Sequence, residues 1–265
     1  MPELPDVEVI RQYLQATSLH QQIEDVEVRS EGVLEHIDGD DLRSGLMGRS
    51  FESTDRHGKY LFASLSAGGW LMLHFGMTGH LVYFEQMEKD PEYDRLLVRF
   101  ANGYHLAYNS QRKLGEVDLV EGVDSFVQRK GLGPDALDPD FTQQDFVEKM
   151  SERRGMAKSM LMNQHILAGI GNVYSDEILY QAEIHPRRTV DTLGSDQLAR
   201  LYEEMREVLR TAIDHRAQPT DFPDTYLTPH RREHGVCPRC GEPVDRVKVS
   251  SRYAYFCPNR QNPPS

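Results

Sequence analysis

The feature that most constrains the fold of this chain is a series of short, strand-like segments between residues 23 and 120. They are rich in β-branched and aromatic residues, and turn signals such as Ala67-Gly68-Gly69 and Ala101-Asn102-Gly103 separate several of them. Many short strands at this spacing predict a β-sandwich. The predicted strands are Ile23–Arg29, Ser50–Arg56, Tyr60–Leu65, Trp70–Phe75, His80–Phe84, Arg95–Phe100, Tyr104–Tyr108 and Glu116–Val120.

Helical periodicity lies on both sides of the strand region. Val7, Ile10 and Leu14 recur at helical spacing behind Pro5 and predict a first helix over about residues 4–16. After the turn-rich segment 131–135 the apolar spacing predicts helices over residues 141–151, 157–162, 172–181 and 195–216. The predicted fold class is α+β, with an N-terminal domain over residues 1–131, a helical domain over residues 132–222 and a cysteine-bearing hairpin over residues 223–265.

Net charge is −12, which by itself argues against a polyanionic partner, but the charge is unevenly distributed. Residues 1–131 hold 13 Lys/Arg against 22 Asp/Glu, a balance of −9, and residues 132–222 hold 10 against 16, a balance of −6. Residues 223–265 hold 7 against 4, a balance of +3. If such a chain binds DNA, its positive charge must be concentrated on one face, and binding should be weak and strongly salt-dependent.

The sequence does not favour a membrane protein or a secreted protein. No apolar run approaches the eighteen or more residues that a membrane-spanning helix needs, and the first residues are acidic where a secretory signal would be basic. We therefore expect a cytoplasmic protein, long enough at 265 residues for two domains with a core each. The three cysteines, Cys237, Cys240 and Cys257, are clustered and odd in number, which favours metal binding over a disulfide framework.

The N-terminus carries a candidate nucleophile. Removal of Met1 would expose the secondary amine of Pro2 beside the carboxylate of Glu3. An α-amino group has a pKa near 7.7–8.0, so an appreciable neutral fraction exists near neutral pH, and amine attack on a sugar carbon would give a Schiff base. The alternative is that Pro2 only stiffens an extended start and that Pro5 begins a helix.

The cysteine segment resembles a zinc ribbon with one ligand missing. The spacing Cys237-x2-Cys240-x16-Cys257-x2-Arg260 places arginine where a fourth cysteine belongs. His234 or His230 could complete a Cys3His site, or zinc has been lost and packing holds the hairpin. Arg246, Lys248 and Arg252 lie on the predicted ribbon between Cys240 and Cys257, where they could reach a DNA groove or could simply form an exposed basic edge.

Three further segments contain candidate site residues that are informative only in combination. Leu167-Ala-Gly-Ile-Gly-Asn172 places backbone N–H groups and an amide at a helix N-terminus, a natural phosphate site, or else forms a tight connection between helices. Arg56-His-Gly-Lys59-Tyr60 places a lysine at the start of a strand. Leu73-His-Phe-Gly-Met77-Thr-Gly79 places a methionine in a loop between strands.

Taken in order, these motifs resemble the formamidopyrimidine-DNA glycosylase / endonuclease VIII family of base-excision repair enzymes. The set spans nearly the whole chain, and its opening Pro-Glu-Leu-Pro is closer to the formamidopyrimidine branch. The matching motifs are Pro2-Glu-Leu-Pro-Asp-Val-Glu8, Gly58-Lys-Tyr-Leu61, His74-Phe-Gly-Met-Thr-Gly79, Leu132-Gly-Pro134, Lys158, Gly169-Ile-Gly-Asn-Val-Tyr-Ser-Asp-Glu177, Ile184-His-Pro186 and the cysteine ribbon.

The resemblance implies a fold and a mechanism. The fold is an N-terminal helix with a β-sandwich, a helix-two-turn-helix domain and a C-terminal zinc ribbon. A damaged nucleotide of duplex DNA is flipped out of the stack, and the amine of Pro2 attacks its C1′ atom. Base loss leaves an iminium ion, and β- then δ-elimination cuts the strand on both sides of the sugar. Glu3 would protonate the sugar oxygen and shuttle protons, with no catalytic cofactor, and we expect a monomer.

The same resemblance assigns the remaining site residues. Lys59, Lys158, Asn172 and Arg252 would hold phosphates around the lesion, Lys59 as part of the catalytic group. Met77, Arg112 and Leu114 would fill the gap that the flipped base leaves. Cys237, Cys240 and Cys257 would bind Zn²⁺ with an open choice of fourth ligand, His234 among the candidates.

Some residues depart from the family pattern. Asn109-Ser-Gln-Arg112-Lys-Leu114-Gly replaces the usual Asp-Pro-Arg-Arg-Phe-Gly, so an apolar wedge remains but cannot stack as phenylalanine does. Asp6 replaces the usual glutamate, and the stretch between Arg216 and Arg231 is shorter than the loop that closes over 8-oxoguanine. These departures favour ring-opened purines or an abasic site over 8-oxoguanine. From the resemblance we expect oxidised or ring-opened purines as substrates. Alternatives are oxidised pyrimidines and a non-catalytic relative that only binds DNA lesions.

Overall fold

The computed structural model describes residues 1–263, which form two compact units: Met1–Gly131 and the chain from Leu132 onward. Each unit has a core of its own. The predicted helical domain and the cysteine hairpin lie together in the second unit. None of the described helices is long and apolar enough to cross a lipid bilayer.

The first unit consists of a helix, two four-stranded antiparallel sheets and two short helices. One sheet has the strand order β1-β6-β7-β5 and the other has the order β2-β3-β4-β8. The elements are α1 (Leu4–Ser18), β1 (Ile23–Val28), α2 (Gly39–Leu46), β2 (Phe51–His57), β3 (Tyr60–Leu65), β4 (Trp70–His74), β5 (His80–Phe84), β6 (Asp94–Phe100), β7 (His105–Asn109), β8 (Glu116–Val120) and α3 (Val123–Lys130).

The two sheets share one apolar core, which confirms the predicted sandwich. Leu61 and Leu73 from one sheet are fully or almost fully buried in the same cluster as Leu96 and Leu106 from the other. Side chains of a strand point alternately to its two faces, so every second residue of these strands enters the core. Helix α1 adds Val7 to this cluster, and its first turn therefore has a fixed position against the sheets.

Two short helices of this unit were not predicted. Helix α2 contains Gly39 and Gly45, and their low helix propensity weakens the helical signal in the sequence. The helix begins where the Asp38 side chain accepts a hydrogen bond from the N–H of Asp41. Helix α3 buries a single large apolar residue, Phe126, and ends at Gly131, which has φ = 63°. Neither helix is long enough to show a clear apolar period.

The second unit is helical at first and ends in a two-stranded ribbon. Its helices are α4 (Gln143–Ser151), α5 (Ala157–Leu161), α6 (Asn172–Gln181) and α7 (Ser195–Asp214), followed by strands β9 (Asp245–Val249) and β10 (Arg252–Phe256). These agree with the predicted helices to within two residues at each end, a normal variation. Helix α6 is buried along most of its length, from Tyr174 to Gln181. It is therefore the central element of the unit.

The Leu132-Gly-Pro134 motif packs against the connection between α5 and α6. A Cβ atom on Gly133 would lie 2.5 Å from the carbonyl carbon of Ile166, so only glycine fits here. Its N–H donates to the carbonyl of Gln164 at 2.8 Å, and the N–H of Ala168 donates to the carbonyl of Pro134 at 2.9 Å. These bonds fix the glycine-rich turn that leads into α6.

Candidate active site and nucleic-acid interface

The N-terminal pair lies at the beginning of α1. Glu3 immediately precedes the helix and is 2% exposed, while Pro2 is partly exposed. The N–H of Glu3 donates to the Asp6 carboxylate at 2.8 Å, which satisfies a backbone donor that the helix leaves open. With Met1 attached, the nitrogen of Pro2 is an amide without a nucleophilic lone pair. The geometry is therefore that of the site with Met1 in place.

Asp6 has an unusual environment for a carboxylate in the first turn of a helix. Burial raises the pKa of Asp6 to about 6, and the negative charge of Glu3 acts in the same direction. The hydrogen bond from the N–H of Glu3 opposes this rise. A carboxyl group that titrates near pH 6 is thus held against the backbone of the candidate acid/base residue.

Lys59 lies at the two-residue turn between β2 and β3, where His57 pairs with Tyr60. Gly58 has φ = 57°, the left-handed conformation that the first position of such a hairpin turn requires. Lys59 itself is 7% exposed. A lysine this buried is held in place, unlike a solvated surface lysine.

A charged clamp connects this turn to α1. Arg56 donates to the carbonyl of Gly58 at 3.2 Å and to the carboxylate of Glu8 at 3.2 Å, and Arg11 also donates to Glu8, at 2.6 Å. Glu8 belongs to α1, two turns or less from Pro2 and Glu3. The clamp thus fixes the Lys59 turn relative to the helix that begins at the N-terminal pair.

His74 is a further site residue, at the first position of the His74-Phe-Gly-Met-Thr-Gly79 motif. Burial lowers the pKa of His74, the carboxylate of Glu116 opposes this, and the nearby ammonium of Lys59 lowers the pKa further. Its Nδ1 atom is 3.9 Å from Glu116, and its ring packs on Tyr60 with 4.9 Å between centroids. Proximity to Lys59 identifies it as part of the same site, which sequence spacing alone does not show.

The predicted wedge residues come together on two neighbouring loops. Nη1 of Arg112 lies 3.0 Å from the sulfur of Met77, and the side chains of Met77 and Leu114 are 42% and 51% exposed. A Cβ atom on Gly76 would lie 2.4 Å from the backbone of Leu114, so glycine is needed for the two loops to meet. Exposed large apolar side chains held this way are available to a ligand.

Lys158 is buried, and its ammonium has partners within the second unit. Its side chain is 0% exposed, and its ammonium contacts the Asp176 carboxylate at 2.6 Å, the hydroxyl of Ser175 at 2.9 Å and the carbonyl of Asn172 at 3.0 Å. A lysine with these buried partners cannot reach an external phosphate without breaking them. The contacts described for Lys158 are thus structural ones at the beginning of α6, and its phosphate contact stays a prediction.

Asn172 is the first residue of α6 and follows Gly171. Among the described residues, its side-chain Oδ1 atom is buried and has no hydrogen-bond partner. The positive end of the helix dipole favours an anion at such a position. This part of the sequence-predicted phosphate site is compatible with the geometry.

Arg252 begins β10 and is exposed, opposite Val249 in the ribbon. On the other face of the ribbon, the Arg246 guanidinium lies 4.8 Å from the ring centroid of Tyr253. Arg252 is thus accessible at the exposed end of the ribbon, and its contact with DNA stays a prediction.

The three cysteines form a cluster. Their sulfur atoms lie within 4.8 Å of one another, and Cys240 and Cys257 are 3.5 Å apart. Burial raises the pKa of Cys257 to about 12. Burial also acts to raise the pKa of Cys237, but hydrogen bonds with Tyr180, with the backbone of Arg239 and Cys240 and with the Cys240 side chain together lower it to about 7. Sulfurs at this spacing fit three corners of a tetrahedral zinc site.

A fourth ligand is not part of this cluster. Among residues 1–263, no histidine, aspartate, glutamate or further cysteine joins the three sulfurs. His234 is exposed, and Arg260 is directed to the carboxylate of Glu183. The residues present thus fit a three-thiolate site but not a closed four-ligand site, because structural zinc usually has four protein ligands.

Comparisons with known proteins agree with this geometry. Residues 1–117 match the family model described as the formamidopyrimidine-DNA glycosylase N-terminal domain, residues 132–224 its H2TH domain, and residues 235–259 a zinc finger found in FPG and IleRS. A formamidopyrimidine-DNA glycosylase of Pelotomaculum thermopropionicum is 33% identical, with 98% of this chain and 99% of that protein covered. That of Moorella thermoacetica is 35% identical, with 94% and 95% covered.

Solved structures of the Lactococcus lactis formamidopyrimidine-DNA glycosylase are also similar. A complex with DNA that contains FAPY-dG has a TM-score of 0.90 at 27% identity, and 98% of this chain and 100% of that chain are covered. A non-covalent complex with DNA that contains an abasic site has a TM-score of 0.90 at 28% identity and the same coverage. Family models, relatives and structures agree: the chain belongs to the formamidopyrimidine-DNA glycosylase family.

Proposed function

We propose that this protein is a base-excision DNA glycosylase with abasic-site lyase activity, acting on ring-opened or oxidised purines in duplex DNA. The observation that carries the proposal is the buried Glu3 carboxylate beside Pro2, at the beginning of a helix that the Glu8–Arg56 pair holds against the Lys59 turn. The names of the similar proteins and the damaged-DNA complexes of their structures support the same activity.

The reaction follows from the chemistry of these groups. The neutral amine of Pro2 forms a bond to C1′ of the flipped nucleotide, the glycosidic bond breaks with its electrons leaving on the base, and the amine proton passes to the departing base. Glu3 donates a proton to the sugar oxygen as the ring opens, which gives an iminium ion. Successive β- and δ-elimination then release the 3′ and 5′ phosphates. We assign to Lys59 the neutralisation of phosphate charge beside the reacting sugar.

The substrate preference rests on the segment that follows α7. The carboxylate of Glu177 accepts hydrogen bonds from the N–H of Leu227 at 3.1 Å and from the N–H and hydroxyl of Thr228 at 2.7 and 2.6 Å. These hydrogen bonds fix the C-terminal part of the short stretch between Arg216 and Arg231 against α6. A short, fixed loop closes over an intact 8-oxoguanine less well, so we expect ring-opened purines to be preferred.

We assign the other contacts with DNA and with zinc to individual residues. Asn172 and Arg252 hold DNA phosphates, while Met77, Arg112 and Leu114 fill the space left by the flipped base. When Zn²⁺ is bound, Cys237, Cys240 and Cys257 are its ligands and it cross-links the ribbon. His234 is not supported as a fourth ligand. A monomer and a cytoplasmic location stay predictions.

A panel of duplexes tests the function. Each carries one lesion: a ring-opened guanine, 8-oxoguanine, an oxidised pyrimidine or an abasic site. We expect base release in the order ring-opened guanine, 8-oxoguanine, pyrimidine, with strand cleavage at the abasic site. Glu3→Gln should slow base release by about 100-fold or more, the usual contribution of a general acid, while lesion binding remains.

Each alternative has its own outcome in this panel. Faster release of the oxidised pyrimidine would replace the purine assignment with an endonuclease VIII-like one. Tight lesion binding without base release or strand cleavage would show a non-catalytic DNA-binding relative.

A further inference from the structure

The cysteine ribbon contacts α6 and the residues after it at a series of points. From the start of the helix onward, each contact joins one residue of this segment to one residue of the ribbon. The pairs are Asp176 with the N–H of Tyr255 (3.1 Å), Tyr180 with Cys237 (3.2 Å), Gln181 with Arg239, Glu183 with Arg260, and the carbonyl of Ile184 with Gln261 (2.8 Å).

Gln261 closes the loop that follows Cys257. Its side chain is fully buried, its Oε1 accepts the N–H of Cys257 at 2.9 Å, and its Nε2 donates to the carbonyl of Ile184 at 2.8 Å. Its own N–H donates to the carbonyl of Cys257 at 2.9 Å. The loop that normally presents a fourth zinc ligand is thus closed by hydrogen bonds of one glutamine.

Arg260 connects the same loop to the end of α6. Its guanidinium pairs with the carboxylate of Glu183, and the two side chains are 28% and 35% exposed. A partly buried, charge-assisted pair resists solvent better than a fully exposed one. The residue that replaces the fourth cysteine therefore makes a contact that a cysteine could not reach.

Tyr180 completes the contact surface from the helix side. It is fully buried, its hydroxyl lies 3.2 Å from the sulfur of Cys237, and the Arg239 guanidinium lies 5.5 Å from its ring centroid. Around it, Leu227, Val244, Cys237 and Cys257 form a buried cluster. Small zinc fingers unfold without metal because they lack such a core; this ribbon has one.

We propose that Arg260, Gln261 and Tyr180 hold the cysteine ribbon on α6 in place of a fourth zinc ligand. The ribbon therefore keeps its fold, and keeps Arg252 in position, without bound metal. This inference concerns the ribbon itself, so it can be tested whether or not the proposed reaction is correct.

The test compares metal-loaded and metal-free protein under reducing conditions, with the zinc content verified by elemental analysis. Thermal unfolding and amide hydrogen exchange of β9 and β10 are measured for the wild type, Arg260→Ala and the control Arg210→Ala, an exposed arginine of α7. Metal removal should shift the wild-type Tm by less than about 2 °C, which corresponds to about 1 kcal/mol or less. Metal-free Arg260→Ala should exchange its ribbon amides at least about tenfold faster than Arg210→Ala.

Two further variants separate positioning from general destabilisation. Arg260→Lys keeps the charge opposite Glu183 and should restore slow exchange without metal. Arg260→Cys supplies a fourth thiolate and should restore slow exchange only when one equivalent of zinc is added. Loss of ribbon protection in the metal-free wild type would overturn the proposal. Equal exchange in Arg260→Ala and Arg210→Ala would also overturn it.

Discussion

At the scale of single residues, the site depends on which charged side chains the fold buries and which partners it gives them. The N-terminal motif predicted Pro2 and Glu3, and the structure buries Glu3 behind the Asp6 contact. His74 could be found only from its position near Lys59, because that proximity arises from pairing between β3 and β4. Sequence motifs thus identify candidate groups, and tertiary contacts select among them.

Asp6→Asn should change the pH dependence of stability. The folded state raises the pKa of Asp6 from 3.8 to about 6, so it binds a proton more tightly than the unfolded chain does. The contribution of Asp6 to the free energy of unfolding therefore falls as pH rises from about 4 to about 6 and stays low above that range. Asparagine can still accept the N–H of Glu3 and cannot ionise.

Urea unfolding at several pH values measures this effect. The variant should be more stable than the wild type at pH 8, by up to about 3 kcal/mol, and should lack the decline between pH 4 and 6. Parallel stability curves for the two proteins would show that Asp6 is not the titrating group.

Leu114→Ala tests the wedge. Because Leu114 is 51% exposed, its truncation should change the free energy of unfolding by less than about 0.5 kcal/mol. Excision from a duplex should nevertheless slow by about tenfold, since base flipping costs a few kcal/mol and the wedge offsets part of it. Excision from single strands should not change. Met87→Ala, a methionine 44% exposed on another loop, is the matched control; equal slowing in both variants would contradict the wedge role.

At the scale of elements, helix α6 organises the second unit. Its Asp176 carboxylate is 1% exposed and contacts Lys158, Arg231 (2.7 Å) and the N–H of Tyr255. The glycine-rich motif predicted the start of this helix correctly. The burial of Lys158 could not be predicted, because its partner lies eighteen residues away and only the fold brings the two together.

Lys158→Met should destabilise the protein and not act mainly on DNA. Removal of the ammonium leaves Asp176 with a single charged partner inside the unit, so we expect a loss of about 3 kcal/mol in the free energy of unfolding. Urea denaturation and the salt dependence of DNA binding are measured together. Unchanged stability, together with a slope of log K against log salt reduced by about 1, would instead support the phosphate contact that the sequence predicted.

At this scale, short helices and long-range contacts of the cysteine cluster could not be predicted from the sequence. Strands and long helices were predicted within a few residues because each buries several apolar side chains. Helix α3 buries only Phe126 and was missed. The cysteine spacing predicted the sulfur cluster, but Tyr180, 57 residues from Cys237, could be assigned to it only from the structure.

At the scale of the whole molecule, an acidic protein must bind a polyanion. With a net charge of −12, long-range repulsion opposes DNA binding, and a few placed cations must overcome it. Arg252→Ala should reduce the slope of log K against log salt by about 1, without changing lesion preference. Arg210→Ala, to which no DNA contact is assigned, should leave the slope unchanged. Equal slopes for the wild type and Arg252→Ala would remove Arg252 from the DNA contacts.

The most direct test of the central claim is borohydride trapping on DNA that contains an abasic site. Protein that begins at Pro2 should form a covalent one-to-one adduct, and mass spectrometry should locate the reduced linkage on the Pro2 nitrogen. Protein that retains Met1 should form none, because its Pro2 nitrogen is an amide. Absence of an adduct from protein with a verified Pro2 terminus, or an adduct located on Lys59, would contradict the account.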